Sequence, residues 1–210
     1  PANAPDVVKV SADHVTKSVG GNGVIFEIAL LLKEGKIWVE NILKELELVS
    51  KSVSEREIDQ FVELICSNNF NNIVGFGAGR MGYSLRAFIM RLTHMGFSAF
   101  MIGDTSFPKI DERSLVIVNS SSGETPTMKL FVDQAIKYNA KIVVITANEN
   151  SELAKKSNYV IGYKVNKTNQ IMKTIYEQFT FLFFDWVVER VIVNNKLNRS
   201  KVSKNHSISE

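Results

Sequence analysis

Residues Val116 to Met128 read VIVNSSSGETPTM. The apolar run Leu115 to Val118 stops at Asn119, and Ser120, Ser121, Ser122, Gly123, Glu124, Thr125 and Pro126 follow. Met128, Leu130, Phe131, Val132 and Ala135 then take up helical spacing. In order, these are a buried strand, a hydroxyl-rich turn and a helix start. Pro126 suits the first helical position, where its missing N–H would have no partner, and Thr125 becomes the N-cap. The unpaired N–H groups and the positive dipole end of the helix then face the turn. Capping needs one hydroxyl. Here Ser120, Ser121, Ser122 and Thr125 all surround the same spot, which suits a phosphate dianion.

Strands and helices alternate on both sides of this turn. Upstream, Ile73 to Phe76 is a short apolar strand running into GFGAGRMG, Gly75 to Gly82. The next helix, to about His94, carries Leu85, Phe88, Ile89 and Leu92 on one face, and Gly96 ends it. Ser98 to Ile102 is a second strand, closed by Gly103, Asp104 and Thr105. Downstream of the helix Pro126 to Tyr138 come a strand at Lys141 to Ile145, a short helix near Ser151 to Lys156 and a strand at Tyr159 to Gly162. Strand and helix in alternation predict an α/β fold, a parallel five-stranded sheet flanked by helices. Ligands of such sheets bind at the carboxyl ends of the strands, where both the glycine-rich and the serine-rich turns lie.

The outer segments add helices. Ser54 to Glu57 has the capping-box pattern, with Val53 and Ile58 placed as a hydrophobic staple, and opens a helix from Glu55 to about Ser67. Residues 24–49 have helical spacing, with Gly35 a candidate break. Residues 1–23 are expected to be a flexible arm or local extension, residues 1–35 as a whole an N-terminal extension, and 36–210 the domain with its C-terminal tail. Gln170 to Asn194 is apolar nearly all round, from Ile171 and Met172 through Phe183 and Phe184 to Val191 and Ile192. Such a helix must be covered in a core or by another subunit, so an oligomer is expected. Residues 195–210 are polar and basic and read as a loose tail.

Bulk properties narrow the classes. The chain has 210 residues, 45% hydrophobic and 22% charged, enough for one α/β domain with extra helices. A net charge of +3 is too small to argue for nucleic acid. Cys66 is the single cysteine, so no internal disulfide can form and a reducing cytoplasm is the expected compartment. The apolar run Val24 to Leu32 contains Glu27, is too short to span a bilayer and lacks the basic flank of a secretion signal, so no membrane role is expected.

Two readings compete for GFGAGRMG. Gly77, Gly79 and Gly82 form GxGxxG between a strand and a helix, and Asp104 follows at about the spacing of a ribose-binding acid. Against a dinucleotide, Arg80 and Met81 occupy the turn that a pyrophosphate must approach. The glycines equally suit a plain tight turn. Glu177, in the apolar helix, also has two readings. It lies at the edge of a polar stripe with Thr174, Gln178, Asp185 and Glu189, yet Tyr176 and Phe179 flank it. Burial there would raise its pKa and fit it for proton transfer. His14 lies in the arm. His94 sits in the last turn of its helix, where the dipole favours a cation, and His206 in the polar tail. No Cys/His or paired-carboxylate spacing suggests a metal, and no histidine accompanies the serines as in acyl transfer.

Taken together, GFGAGRMG, RLTHMGF (Arg91 to Phe97), GDTSFP (Gly103 to Pro108) and NSSSGET (Asn119 to Thr125) resemble the sugar isomerase, or SIS, domain family. Its 6-phospho-3-hexuloisomerase branch is the most similar. That branch carries GAGRSG, RLMHLGF, GSGSGET, a later PMGTxFEQ and a terminal RHANLE. Here Met172 to Gln178 reads MKTIYEQ and the end reads NHSISE. The resemblance covers about residues 36–210 and implies a flavodoxin-like three-layer sandwich. It implies an isomerase that needs no cofactor or metal and interconverts arabino-3-hexulose 6-phosphate and fructose 6-phosphate through a cis-enediol. A non-catalytic, sugar-phosphate-binding regulatory module is the alternative. It assigns phosphate contacts to Ser120, Ser122 and Thr125, with Ser121 in the same turn. It places Gly79, Arg80, Asp104 and Thr105 around the sugar, makes Glu177 the base and lets His206 reach a neighbouring subunit's site. A homotetramer, or a dimer, is implied. Three departures bear on substrate identity: Met81 for Ser, Lys173 for Gly, and Ser207, Ile208 and Ser209 in the tail.

Overall fold

The structure is a computed structural model. It describes residues 1–12, 15–67, 69–165, 168 and 170–206, and of residues 31–37 the backbone only. The readings attached to His14, Ser207, Ile208, Ser209 and Glu210 lie outside the described residues. The chain forms two compact units, Pro1–Glu45 and Leu46–Glu210. The first holds a short helix α1 (Asp6–Val10) and most of α2 (Val24–Ser50). The backbone N–H groups of Lys17 and Ser18 both donate to the Glu27 carboxylate at 2.8 Å. Gly35 does not divide α2: a single glycine costs a helix interior only about 1 kcal/mol relative to alanine, and the helix runs through it unbroken.

The second unit opens with α3 (Glu55–Cys66), then β1 (Asn72–Gly77), α4 (Gly79–His94), β2 (Ala99–Met101), β3 (Ser114–Asn119) and α5 (Pro126–Lys137). It continues through β4 (Lys141–Thr146), α6 (Glu152–Lys156), β5 (Tyr159–Gly162), α7 (Thr174–Asn194) and α8 (Arg199–Lys204). The five strands form one parallel sheet in the order β2-β1-β3-β4-β5, the expected fold class.

Strand alternation sorts the core into two layers. Ile73, Leu115, Ile117, Val143 and Ile145 point to the α3, α4 and α7 side, where Phe61, Phe88 and Phe184 pack. Val74, Phe76, Val116, Val118, Ile142 and Val144 point to the other side, against Met128 and Val132 of α5 and Leu153 of α6. This is the three-layer sandwich. The order reverses at β1 and β3, which makes their carboxyl ends the switch point where doubly wound sheets take ligands. Gly77 and Asn119, the last residues of these strands, are paired in register there.

Two local expectations change. The capping box is half made: Ser54 Oγ accepts from the Glu57 N–H at 3.4 Å, but the Glu57 carboxylate accepts from the Gly162 N–H at 3.1 Å rather than closing on Ser54. The loose tail is partly helical. Asn198 caps α8 by accepting from the Lys201 N–H, Arg199 pairs with Glu189 at 2.5 Å, and Asn205 Nδ2 donates to the His94 carbonyl at 2.8 Å. No helix of the described residues is long and apolar enough to cross a membrane.

Candidate active site

The serine turn leaves β3 and enters α5 as its residues dictate. Thr125 is the N-cap and Pro126 opens the helix, yet the Thr125 hydroxyl does not cap it. It bonds Ser120 Oγ instead, at 3.0 Å. The cap side chain therefore leaves the helix N–H groups to an anion. Ser122 is exposed, and its Oγ accepts from the Glu124 N–H at 3.2 Å. Ser121 turns inward. Its carbonyl accepts from Thr146 Oγ1 and the Ala147 N–H, while its buried Oγ has no hydrogen-bond partner among the described residues. Glu124 braces the turn from behind: it accepts from the Glu152 N–H at 2.8 Å, and Lys129 pairs with Glu124 and Glu152 at 2.6 and 2.5 Å.

At the neighbouring strand end, the glycines serve close approach. A Cβ on Gly82 would stand 2.5 Å from the Gly77 carbonyl oxygen, and Gly79 has φ +55°. Bare backbone lets α4 start directly over the end of β1. Arg80 lies in its first turn. Glu177 lies in the first turn of α7, which packs beside α4 through the Phe88–Phe184 stack, ring centroids 4.5 Å apart. Arg80 Nε meets Glu177 Oε2 at 2.5 Å, and only 14% of the Glu177 side chain is exposed. Glu177 is thus largely sheltered, whereas Asp185 and Glu189 of the same polar stripe are exposed. A cavity of about 410 Å³ opens beside the pair, lined by Arg80, Tyr83, Ser84, Glu177, Gln178 and Phe181.

Asn119 connects these parts. Its Nδ2 donates to the Met81 carbonyl at 2.9 Å and to Ser84 Oγ at 3.2 Å. Its Oδ1 accepts from the Tyr176 hydroxyl at 2.8 Å, and the same hydroxyl reaches the Ile145 carbonyl at 3.0 Å. Both Tyr176 and Tyr163 are fully enclosed, and burial pushes their phenols well up, so they stay protonated donors. Asn119, Ser84, Tyr83, Gln178 and Phe181 escaped the sequence reading. An asparagine closing an apolar strand is the only local signal among them, and no spacing links position 119 to position 176.

The other candidates are placed apart. Asp104 accepts from the Met101 N–H at 2.8 Å and pairs with Arg86 at 2.8 Å, which holds its carboxyl below the usual carboxylate range. Engaged in this way, it does not offer itself to a ribose. Thr105 is exposed, and neither residue lines the cavity; nor do Gly79 and the four hydroxyl residues of the turn. Met81 is partly buried with its side chain against the apolar core, so only its carbonyl faces Asn119. His206 lies against His94, ring centroids 5.0 Å apart, at the far end of α4 from Arg80. About 20 Å of helix separates those ends, so within one chain His206 is not brought to Glu177. Among the described residues no three of His, Cys, Asp and Glu gather as a metal set.

Comparison with known proteins follows the same outline. The family model described as SIS domain matches residues 68–183. The 3-hexulose-6-phosphate isomerase of Bacillus subtilis is 31% identical over 179 residues, covering 81% of this chain and 96% of the relative. Its namesake from Methanocaldococcus jannaschii is 28% identical, covering 78% and 96%. Among solved structures, a hypothetical protein of Methanococcus jannaschii superposes with a TM-score of 0.74 at 25% identity, covering 80% of this chain and 97% of that one. Its crystal structure is described as inferring the molecular function of a 3-hexulose-6-phosphate isomerase.

Proposed function

The chain belongs to the SIS domain family, and from that premise we propose that it is a sugar-phosphate isomerase interconverting arabino-3-hexulose 6-phosphate and fructose 6-phosphate. The observation that carries this reading is the sheltered Glu177 carboxylate, paired with the more exposed Arg80 beside a cavity, on two helix turns that Asn119 joins to the start of the serine turn. The phosphate sits at the mouth of α5, held by Ser120, Ser122 and Thr125 with Ser121 contributing from within the turn. Arg80 borders the sugar from the cavity with Gly79 beside it at the start of α4, whereas Asp104 is held by Arg86.

The chemistry needs few groups. The 3-ketose cannot close a five-membered ring, because O6 carries the phosphate, so it presents an open chain. The Glu177 carboxylate removes the C2 proton, and the electron pair forms the C2–C3 double bond of a cis-enediolate. The protonated carboxyl then returns the proton to C3 as the O2 hydrogen passes to O3, so that O2 becomes the new carbonyl and O3 the new hydroxyl. The developing negative oxygen needs a fixed donor. Arg80 spends one N–H on Glu177 and offers the rest of its fork. The anchored phosphate holds C2 and C3 beside the base.

Two departures from the family motifs, Met81 and Lys173, would favour the non-catalytic alternative if they altered the cavity. Met81 packs into the core, and Lys173 is exposed just before α7, outside the cavity lining. We take the assembly to be a homotetramer or a dimer, working in the cytoplasm, with His206 completing the site of a neighbouring subunit. Residues 1–35 are an extension on a domain of residues 36–210. The test is fructose 6-phosphate in heavy water with the purified protein, followed by NMR. The expected result is formation of the 3-ketose carrying deuterium at C2, with deuterium entering C3 of the recovered fructose 6-phosphate, and the loss of both in Glu177→Gln with sugar-phosphate binding retained. Full activity in Glu177→Gln removes Glu177 from the mechanism. No conversion by the native protein removes the isomerase reading.

A further inference from the structure

Glu177 and Arg80 come from the first turns of two different helices, and the reaction needs them fixed against each other and against the phosphate turn. Each first turn is tied to one side chain at the end of β3. The Tyr176 hydroxyl, on the residue before Glu177, reaches Asn119 Oδ1 at 2.8 Å. The Met81 carbonyl, on the residue after Arg80, accepts from Asn119 Nδ2 at 2.9 Å. Asn119 itself directly precedes Ser120, and both partners of the hydroxyl bond are enclosed: Tyr176 is 0% exposed and Asn119 1%. We propose that Asn119 and Tyr176 are positioning residues for the isomerisation: one amide, gripping α7 through the Tyr176 hydroxyl and α4 through the Met81 carbonyl, sets the base and its guanidinium partner at a fixed distance from the phosphate turn.

Further observations support this assignment. Tyr176 does not need its hydroxyl for packing: its ring already stacks on Tyr163, centroids 4.9 Å apart. At both positions the chain departs from the motifs quoted above, with Asn119 where GSGSGET has glycine and Tyr176 where PMGTxFEQ has phenylalanine. The α7 first turn also lacks a side-chain N-cap, Lys173 supplying none.

The inference rests on the isomerase reading, and the experiment separates their failures. Tyr176→Phe, Asn119→Ala and the double variant are assayed for kcat, KM and Tm, and Tyr176→Phe is crystallised. Losing the hydroxyl leaves a buried carbonyl without a donor, so kcat should fall about tenfold with KM within about twofold. Asn119→Ala should cost at least as much, and the double variant no more than Asn119→Ala alone, since both act through one bond. In the crystal the Arg80–Glu177 separation should widen beyond hydrogen-bond reach. An unchanged kcat in Tyr176→Phe, a double variant at the product of the single losses, or an Arg80–Glu177 contact unchanged in the crystal would each overturn the proposal. A loss of Tm with kcat intact would do so too. If Tyr176→Phe does not fold, Asn119→Ala and Asn119→Asp carry the same kcat test, the aspartate keeping the acceptor for Tyr176 and losing the donor to Met81. Native protein inactive on the 3-ketose would sink the isomerase reading, while the crystallographic separation would still decide the strut.

Discussion

Gly123 stands at φ +63°, and a Cβ placed there would lie 1.9 Å from Ser151 Oγ and 3.3 Å from Thr146 Oγ1. Ser151 cannot yield easily, because it is buried and its Oγ accepts from the Ala154 N–H as the cap of α6. Gly123→Ala should therefore lower Tm by about 5 °C or more, from left-handed strain and the collision together. It should also raise KM for the phosphorylated sugar, because the turn it distorts carries Ser120 and Thr125; calorimetry and steady-state kinetics check both. At this scale the structure supplies the reason for the glycine of the turn. Four hydroxyls in one turn pointed to an anion, but their partners were not legible. Thr125 bonds Ser120 rather than the helix, and Ser121 faces inward, because β4 passes directly behind the turn.

Among the elements, α3 is where a sequence signal was right in place and wrong in partner. The box residue Glu57 crosses to β5, where it meets the Gly162 N–H and lies near Glu149. Burial, with Glu149 adding to it, holds its carboxyl above the ordinary 4.5 even though the Gly162 N–H pulls the other way. A raised carboxyl favours the protonated form in the folded state. Its contribution to stability is thus fully present below the ordinary value and is lost as pH rises through the folded one. Glu57→Gln keeps an acceptor for Gly162 and removes the charge. The variant should melt with the native protein near about pH 4 and above it at about pH 8, by thermal denaturation across that range. Equal melting at both ends would remove the charge from the account. The tail helix α8 escaped the sequence for a related reason: its anchors, Glu189 and the His94 carbonyl, belong to other elements.

For the whole molecule, the open question is what covers α7. One side of it is buried, including Ile175, Phe179, Phe183, Phe184 and Val187, while Phe181 is 47% exposed and Leu182 52%. Tyr83 and Met90 of α4 are exposed as well. Apolar surface of this kind marks an interface, in line with the proposed assembly. Leu182→Arg, outside the cavity lining, should shift sedimentation equilibrium to a smaller species. It should lower kcat as well if His206 completes a neighbour's site. An unchanged mass would move the interface elsewhere on the chain.

The sequence alone determined the fold class and the order of strands and helices along the chain, and it named a candidate anion turn and a candidate base. Periodicity, glycine and proline placement and helix capping are local properties that neighbouring residues decide among themselves. Only the tertiary structure decided which candidates meet. It paired Arg80 with Glu177, withdrew Asp104 to Arg86, kept His206 a helix length away and joined Asn119 to Tyr176. Those outcomes depend on where parallel strands bring distant residues side by side, and residues 57 positions apart, as Asn119 and Tyr176 are, leave no mark on each other in the linear order.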